Sequence, residues 1–211
     1  MIMNSAPTSE SRVQQRRRFW ATRTVCVAIL ALFALSRSGW HQVDSLVPHL
    51  LMQFGIVLAA VGAIGRIWSS SYAAGNKNSV LLTVGPYSLV RNPLYVSSYL
   101  GGLGIAITTE TLTIPILLTV WFVWYYRTVV AGEEQHLQQL HGSRFKTYMK
   151  SVPRFIPSKH GLLEPYRWEM SPRSFRQSLI QVIWFVVAAV VIHGLHDVRL
   201  ALGEPALLTL Y

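Results

Sequence analysis

Between two long apolar regions the chain reads Gly85-Pro86-Tyr87-Ser88-Leu89-Val90-Arg91-Asn92-Pro93-Leu94-Tyr95. The Gly-Pro and Asn-Pro pairs break helices, so this stretch predicts a shaped loop between two helices. Its arginine and two tyrosines can meet a ligand at a membrane surface. A plain interhelical turn inside an interfacial belt of Tyr and Arg explains the same residues. The rest of the chain must therefore decide whether the loop is a binding site.

The composition indicates a membrane protein. Of 211 residues, 51% are hydrophobic and only 13% are charged, which is too apolar for an ordinary soluble domain. The net charge of +10 raises the possibility of nucleic-acid binding, but the basic residues form clusters that alternate with apolar segments. The single cysteine, Cys26, excludes a disulfide framework. We predict an all-α integral membrane protein that contacts membrane lipids and no nucleic acid.

The apolar runs predict about five transmembrane helices. They extend from about Phe19 to Leu35, Leu46 to Trp68, Pro93 to Thr108, Leu112 to Val130 and Leu179 to Leu195. The third and fourth runs, joined by a polar turn, form a helical hairpin. A cleavable signal peptide competes for the first run, because Ala34-Leu35-Ser36 resembles a cleavage site.

These runs divide the chain into three parts. Residues 1–18 are a basic tail without apolar periodicity and are predicted to be disordered. Residues 19–178 form a membrane core that includes a polar segment at about 131–178. Residues 179–211 add a further transmembrane helix and a short tail.

The charges predict the orientation. Most Lys and Arg residues lie in the tail, the 66–92 loop and the 127–178 segment, which five spans place on one side of the membrane. The acidic residues Asp44, Glu110, Asp197 and Glu204 fall on the other side. By the positive-inside rule the amino terminus is cytoplasmic and the carboxyl terminus is outside. We place the protein in a bacterial inner membrane.

The hairpin brings two polar motifs together. It returns to the face that it left, so Glu133 and Glu134 should lie at the same interface as Arg91. Adjacent glutamates after a span are also explained by a solvated helix face. Beyond them, residues 137–148 can form an amphipathic helix on the membrane surface.

Small residues mark the contact between the second and third runs. Gly55, Gly62 and Gly65 lie in the second run, and Gly101, Gly102 and Gly104 lie in the third. Such glycines let helices approach closely, but they can also leave a lateral gap through which a lipid enters. Both interpretations stay open at this point.

These motifs resemble those of a known family. The pattern Gly-Pro-Tyr-x3-Arg-Asn-Pro-x-Tyr, then a hairpin, then Glu-Glu-x2-Leu-x3-His-Gly-x2-Phe-x2-Tyr and Pro-Arg-Phe-Ile-Pro is similar to that of the isoprenylcysteine carboxyl methyltransferases and the related phospholipid methyltransferases. The resemblance covers about residues 50 to 157. It implies a membrane enzyme that uses S-adenosylmethionine, in a cytoplasmic pocket formed by the interhelical loop and the polar segment after the hairpin.

The resemblance also implies the site residues. The cofactor-binding residues would be Gly85, Tyr87, Arg91, Asn92, Pro93, Tyr95, Glu133, Glu134 and Tyr148. The catalytic residues would be Arg91, Asn92 and Glu133. Asn92 replaces the histidine that is usual in eukaryotic members, and an amide cannot act as a general base.

The acceptor would be a lipophilic small molecule or a lipidated substrate. Carboxyl O-methylation of an isoprenylcysteine-like or other lipid carboxylate fits best, because a carboxylate is already ionised at pH 7. The alternatives are phospholipid N-methylation, a membrane reductase using a nicotinamide dinucleotide, and a non-catalytic membrane protein. No metal site is predicted, because His193, His196 and Asp197 are typical of interfacial polar residues.

Overall fold

A computed structural model describes residues 24, 27–29, 31–40, 46–75, 80–157, 161–202 and 208–210. Its helices are α1 (Leu46–Ala73), α2 (Pro86–Leu89), α3 (Pro93–Ile107), α4 (Thr113–Ser151) and α5 (Pro172–Leu202), and its strands are β1 (Ser36–Ser38) and β2 (Leu208–Leu210). Residues 31–35 are also helical. The predicted tail 1–18 lies outside the described residues.

The long helices confirm the all-α membrane class. Within the described ranges, three helices are long and apolar enough to cross a membrane: Leu46–Ala73, Thr113–Ser151 and Pro172–Leu195. Their surfaces expose large apolar side chains such as Trp124 and Trp184, which suit contact with lipid. The first predicted span is only partly described, so the total of about five spans stays a prediction.

Helix α3 is short for a span and packs tightly on α1. Its 15 residues rise about 22 Å, less than the hydrocarbon thickness of a bilayer. A Cβ atom placed on Gly62 would lie 2.2 Å from the backbone nitrogen of Gly101, and one on Gly104 would lie 2.3 Å from the nitrogen of Ala59. The two backbones are therefore in contact. Of the two interpretations of these glycines, close packing agrees with the structure and a lateral gap between α1 and α3 does not.

Helix α4 extends well past the membrane-spanning length. The change to polar residues after Val130 predicted the end of the span, but the helix continues to Ser151. Residues 133–140 are mostly good helix formers, so the polarity marks the exit from the lipid and leaves the helix intact. The helix kinks at Gly142, which has φ 53° and ψ −121°.

The end of α4 packs into the protein. The sequence predicted an amphipathic helix on the membrane surface, but the side chains of Phe145 and Tyr148 are buried against Val152. Among the apolar side chains of residues 137–148, only that of Leu140 is exposed, at 50%. The segment after the hairpin is thereby held against the rest of the fold.

A small parallel sheet was not predicted. Strand β1 pairs with β2 in the register Ser36 to Leu208, at the end of the bundle where Glu110 links α3 to α4. The Ser38 hydroxyl donates to the Glu110 carbonyl at 2.7 Å. Strands of three residues carry too little alternation to be recognised in a sequence. The opposite end, where α3 begins, carries Arg91 and is called the basic end below.

Candidate functional site

The loop between α1 and α3 has the conformation that its prolines and glycine predict. Pro86 and Pro93 stand in the first turns of α2 and α3, where a missing N–H costs nothing. Gly85 has φ 60°, and a Cβ atom there would lie 2.4 Å from the ring of Tyr72. Only glycine fits this position.

The segment 161–171 covers one side of the loop. The backbone N–H of Gly85 donates to the Leu163 carbonyl at 2.7 Å, and the N–H of Leu163 donates to the Ser88 hydroxyl at 3.0 Å. The Trp168 indole donates to the Tyr72 carbonyl at 3.1 Å. These bonds fix the loop on the rim of the bundle.

The end of α4 holds the other side. The Tyr148 hydroxyl donates to the Tyr87 carbonyl at 2.6 Å, and the backbone N–H of Arg91 donates to the Pro153 carbonyl at 2.9 Å. The Asn92 amide donates to the Arg154 carbonyl at 3.3 Å. The loop and the segment after the hairpin therefore form one unit at the basic end.

Glu134 binds two arginines. One guanidinium nitrogen of Arg91 lies 3.3 Å from Glu134 Oε1. The Arg154 guanidinium donates hydrogen bonds to both carboxylate oxygens of Glu134, and the bond from its Nε to Oε1 measures 3.2 Å. Glu134 is buried, with 7% of its surface exposed. Because two cations surround it, this carboxylate fixes the arginines in place.

Glu133 has a different environment on the same helix. It is half-buried, and its Oε1 accepts a hydrogen bond of 2.8 Å from the Tyr95 hydroxyl. The Tyr95 ring lies 4.9 Å from that of Tyr126, which stacks on Phe122 at 4.0 Å. Glu133 therefore offers a carboxylate beside aromatic rings, and no arginine neutralises it within the part of the chain described here.

Two buried nitrogen atoms of residues in the loop and in α4 lack hydrogen-bond partners among the described residues. They are Arg91 Nε and His141 Nε2. A buried polar atom without a partner is costly in a folded protein, so its presence calls for an explanation such as a ligand. The Arg91 guanidinium therefore pairs with Glu134 through a terminal nitrogen, and its Nε is still available to donate a hydrogen bond to a ligand.

Tyr87 is held as a neutral phenol. Burial raises its pKa above the ordinary value, the charge of Glu133 raises that pKa further, and Arg66 opposes both effects. Near neutral pH this side chain can donate a hydrogen bond but cannot act as a base.

Two arginines were missed as candidates from the sequence. Arg154 lies in the Pro-Arg-Phe-Ile-Pro segment that marks the family resemblance, but it was not selected as a site residue. Arg66 was assigned to the loop after the second span, yet it lies inside α1. Its signal was the rule that an ionisable residue within a transmembrane helix is a functional candidate.

The predicted site residues have distinct structural positions. Arg91 and Glu134 form one cluster, and Tyr95 and Glu133 form another beside it. The remaining residues shape or hold the loop that carries Arg91; they are Gly85, Tyr87, Asn92, Pro93 and Tyr148. No group of three or more metal-ligating side chains occurs among the described residues.

Comparison with known proteins agrees with this architecture. The family model described as phospholipid methyltransferase matches residues 45–144, which include both clusters. The protein-S-isoprenylcysteine O-methyltransferase of Schizosaccharomyces pombe is 29% identical over 82 residues, covering 39% of this chain and 35% of that enzyme. The chain belongs to this family of membrane methyltransferases.

Longer matches occur with two bacterial proteins. The cobalt-zinc-cadmium resistance protein CzcN of Cupriavidus metallidurans is 32% identical over 85% of this chain and 82% of its own length. The nickel-cobalt-cadmium resistance protein NccN of Alcaligenes xylosoxydans xylosoxydans is 27% identical over 98% of this chain and 95% of its own length. No solved structure matches the chain.

Proposed function

We propose that this methyltransferase carries a methyl group from S-adenosylmethionine to a lipophilic carboxylate, such as an isoprenylcysteine-like compound. The observation that carries the proposal is the meeting of the two family motifs at the basic end. There Glu134 holds Arg91 and Arg154, and Glu133 lies beside Tyr95.

The residues at the basic end fit the proposed cofactor. Arg91 Nε is a buried donor with no partner among the described residues, which suits the carboxylate of the methionine part. Glu133 can accept hydrogen bonds from ribose hydroxyls or an amino group. The rings of Tyr95 and Tyr126 offer electron-rich faces to a positive charge. When bound, the cofactor supplies a methyl group on a positively charged sulfur.

Methyl transfer to a carboxylate requires mainly that the protein hold the two reactants in position. In such a transfer an acceptor carboxylate oxygen would form a bond to the methyl carbon as the carbon–sulfur bond broke, and the electron pair of that bond would pass to sulfur. Such a displacement is accelerated by holding the reactants in line. No proton is removed, so an amide at position 92 is sufficient, and Asn92 instead holds the loop to Arg154. An amine acceptor would need a base, and Glu133, the more accessible of the two glutamates at the site, already accepts a hydrogen bond from Tyr95.

The cofactor experiment is equilibrium binding of S-adenosylhomocysteine and reduced nicotinamide dinucleotide to the purified protein. Methyl transfer predicts binding of the first and not of the second. Binding of the nicotinamide dinucleotide alone would support a reductase, and binding of neither would support a non-catalytic protein. Transfer of a radiolabelled methyl group into extracted lipids then identifies the acceptor.

We also propose that the basic end faces the cytoplasm of a bacterium, with the protein in its inner membrane. The water-soluble cofactor is available there, and the positive-inside rule favours this side. We expect a reporter that works only outside the cytoplasm to be active when it is fused after Tyr211. A reporter active only inside would contradict this orientation.

The bacterial relatives suggest a biological setting. CzcN and NccN are both named for resistance to cobalt, cadmium and a further metal. We propose that methylation of a membrane component by this chain supports growth at raised metal concentration. A deletion strain complemented with Glu133→Gln should grow as poorly with added cobalt as the strain without the gene. Full complementation by this variant would separate the metal phenotype from methyl transfer.

A further inference from the structure

Arg66 is a cation inside a membrane helix with neutral partners. One of its terminal nitrogens donates to the Ser98 hydroxyl, and the other donates to Gln181 Oε1 at 2.8 Å. Arg91 and Arg154, in contrast, share the carboxylate of Glu134. Among the described residues Arg66 has no anionic partner, and a half-buried guanidinium in this state is unfavourable in the interior of a membrane protein. The position therefore suits an anionic ligand.

Arg66 lies beside the proposed methyl-transfer site. Its partner Ser98 is three residues after Tyr95 on α3, so the two side chains lie on the same helix face, one turn apart. Tyr95 is the residue that donates to Glu133. An anion bound at Arg66 would therefore lie next to the cluster proposed to hold the methyl donor.

The charges at the basic end also favour an anion. Arg66, Arg91 and Arg154 supply three positive charges, whereas Glu133 and Glu134 supply two negative charges. The proposed cofactor would add one further net positive charge, because its sulfonium and ammonium outweigh its carboxylate, so a carboxylate on the acceptor would reduce the imbalance. A protonated amine would increase the imbalance.

An apolar cavity lies on the other side of Arg66, between α1 and α5. Its volume is about 220 Å³, and its lining includes Met52, Ala59, Ala63, Phe185, Ala189 and His193. Almost all of this lining is apolar. Along α1 it extends from Met52 to Ala63, which corresponds to about 16 Å of helix. A cavity of this shape inside a membrane suits a hydrocarbon chain.

The cavity and Arg66 are neighbours along both helices. Ala63 is three residues before Arg66 on α1, and Phe185 is four residues after Gln181 on α5. These spacings put side chains on the same helix face, one turn apart. The bond between Arg66 and Gln181 therefore lies at the end of the cavity nearest the basic end.

We infer that Arg66 binds the carboxylate headgroup of a single-chain amphiphile and that the cavity between α1 and α5 takes its hydrocarbon chain. This assignment rests on the proposed function, because it makes the amphiphile the methyl acceptor. It also gives α5 a role: the helix supplies one wall of the acceptor site and the Gln181 contact that orients Arg66.

Photolabelling tests this assignment without relying on activity. The parent protein in lipid nanodiscs is exposed to palmitate that carries a diazirine at the end of its chain, and in parallel to the methyl ester of the same probe. We expect the acid to label the peptides of α1 and α5 that line the cavity roughly tenfold more than the ester, because only the acid forms a charged hydrogen bond. Equal labelling by the two probes would overturn the assignment.

Variants at position 66 sharpen the test. Arg66→Gln should reduce labelling by the acid to the level of the ester, and Arg66→Lys should retain most of it. Arg176→Gln is the control, since Arg176 is an exposed cation near the same end of α5. Unchanged labelling in Arg66→Gln would overturn the role of the arginine.

A cavity variant serves if Arg66→Gln does not fold. Ala189→Leu fills part of the cavity and should lower labelling by the acid, whereas labelling that stays at the parent level would overturn the cavity as the chain site. The affinity for S-adenosylhomocysteine is measured on the same samples. If the parent does not bind S-adenosylhomocysteine, the methyltransferase proposal is contradicted. The difference in labelling between the acid and the ester would still report on the amphiphile site.

Discussion

Arg91 and Glu134 lie 3.3 Å apart at the basic end, although one belongs to the loop before α3 and the other to α4. Glu134 is also held by Arg154 and is 7% exposed. Glu134→Gln leaves two guanidinium groups without their anion, so we expect a loss of about 3–5 kcal/mol in the free energy of unfolding. Thermal unfolding in detergent measures this as a lowered Tm.

The control for this prediction is Glu169→Gln, which removes a charge from an exposed side chain and should leave the Tm near that of the parent. A Glu134→Gln variant as stable as this control would show that the paired arginines do not depend on the carboxylate.

Glu133 should affect the cofactor more than the fold. Its carboxylate is half-buried and bonded to the Tyr95 hydroxyl at 2.8 Å. Glu133→Gln should unfold near the parent Tm but weaken S-adenosylhomocysteine binding roughly tenfold to a hundredfold, the effect of losing one hydrogen bond to a charged group. Titration calorimetry measures the affinity.

Tyr95→Phe completes a double-mutant cycle with Glu133→Gln. If the phenol acts by orienting the carboxylate, the double variant should bind little worse than Glu133→Gln alone. Effects that simply add would mean that Tyr95 and Glu133 contact the cofactor independently.

The different environments of Glu133 and Glu134 illustrate what the sequence could not specify. Hairpin topology was enough to predict that the pair returns to the level of Arg91, and the ion pair with Glu134 agrees with that prediction. Adjacent residues on a helix point about 100° apart, so only one of them can face a given partner. Which one does so depends on the rotation of α4, and that is set by packing along its whole length.

The position of Arg66 shows a second limit. The apolar run predicts a span ending at about Trp68, which includes Arg66, whereas the charge partition groups Arg66 with the basic loop at 66–92. Helix α1 continues to Ala73, where the Ala74 carbonyl accepts a bond from the N–H of Ser171. A contact so distant along the chain leaves no local pattern, so the sequence did not predict that α1 extends past Trp68. In contrast, the loop itself was predictable because proline and glycine restrict the backbone locally.

Tyr87 should make stability sensitive to alkaline pH. Burial is the main reason that its pKa is raised in the folded protein, so the unfolded chain loses the phenol proton at a lower pH than the folded protein does. The stabilisation is fully present below the ordinary tyrosine pKa of about 10 and is lost as the pH rises above it. The Tm of the parent should therefore fall more steeply above pH ~10 than that of Tyr87→Phe. Parallel Tm curves from pH 8 to 11 would contradict this role of Tyr87.

The contact between α1 and α3 gives a prediction with a control two residues away. A Cβ atom at Gly104 would lie 2.3 Å from the backbone nitrogen of Ala59, and backbone atoms cannot move aside without separating the helices. At Gly102 the nearest atom would be a methyl group of Leu118 at 3.7 Å, an ordinary contact. Gly104→Ala should therefore lower both expression and Tm, whereas Gly102→Ala should resemble the parent or exceed it slightly, because alanine favours helix.

Functional measurements on the same pair of variants separate packing from substrate entry. If the glycines serve only the contact, the folded fraction of Gly104→Ala should bind S-adenosylhomocysteine and label with palmitate in proportion to its reduced amount. A Gly104→Ala protein with normal Tm and selectively reduced labelling would instead mean that α1 and α3 separate to admit a lipid. That result would contradict the close backbone contact as the resting state of the bundle.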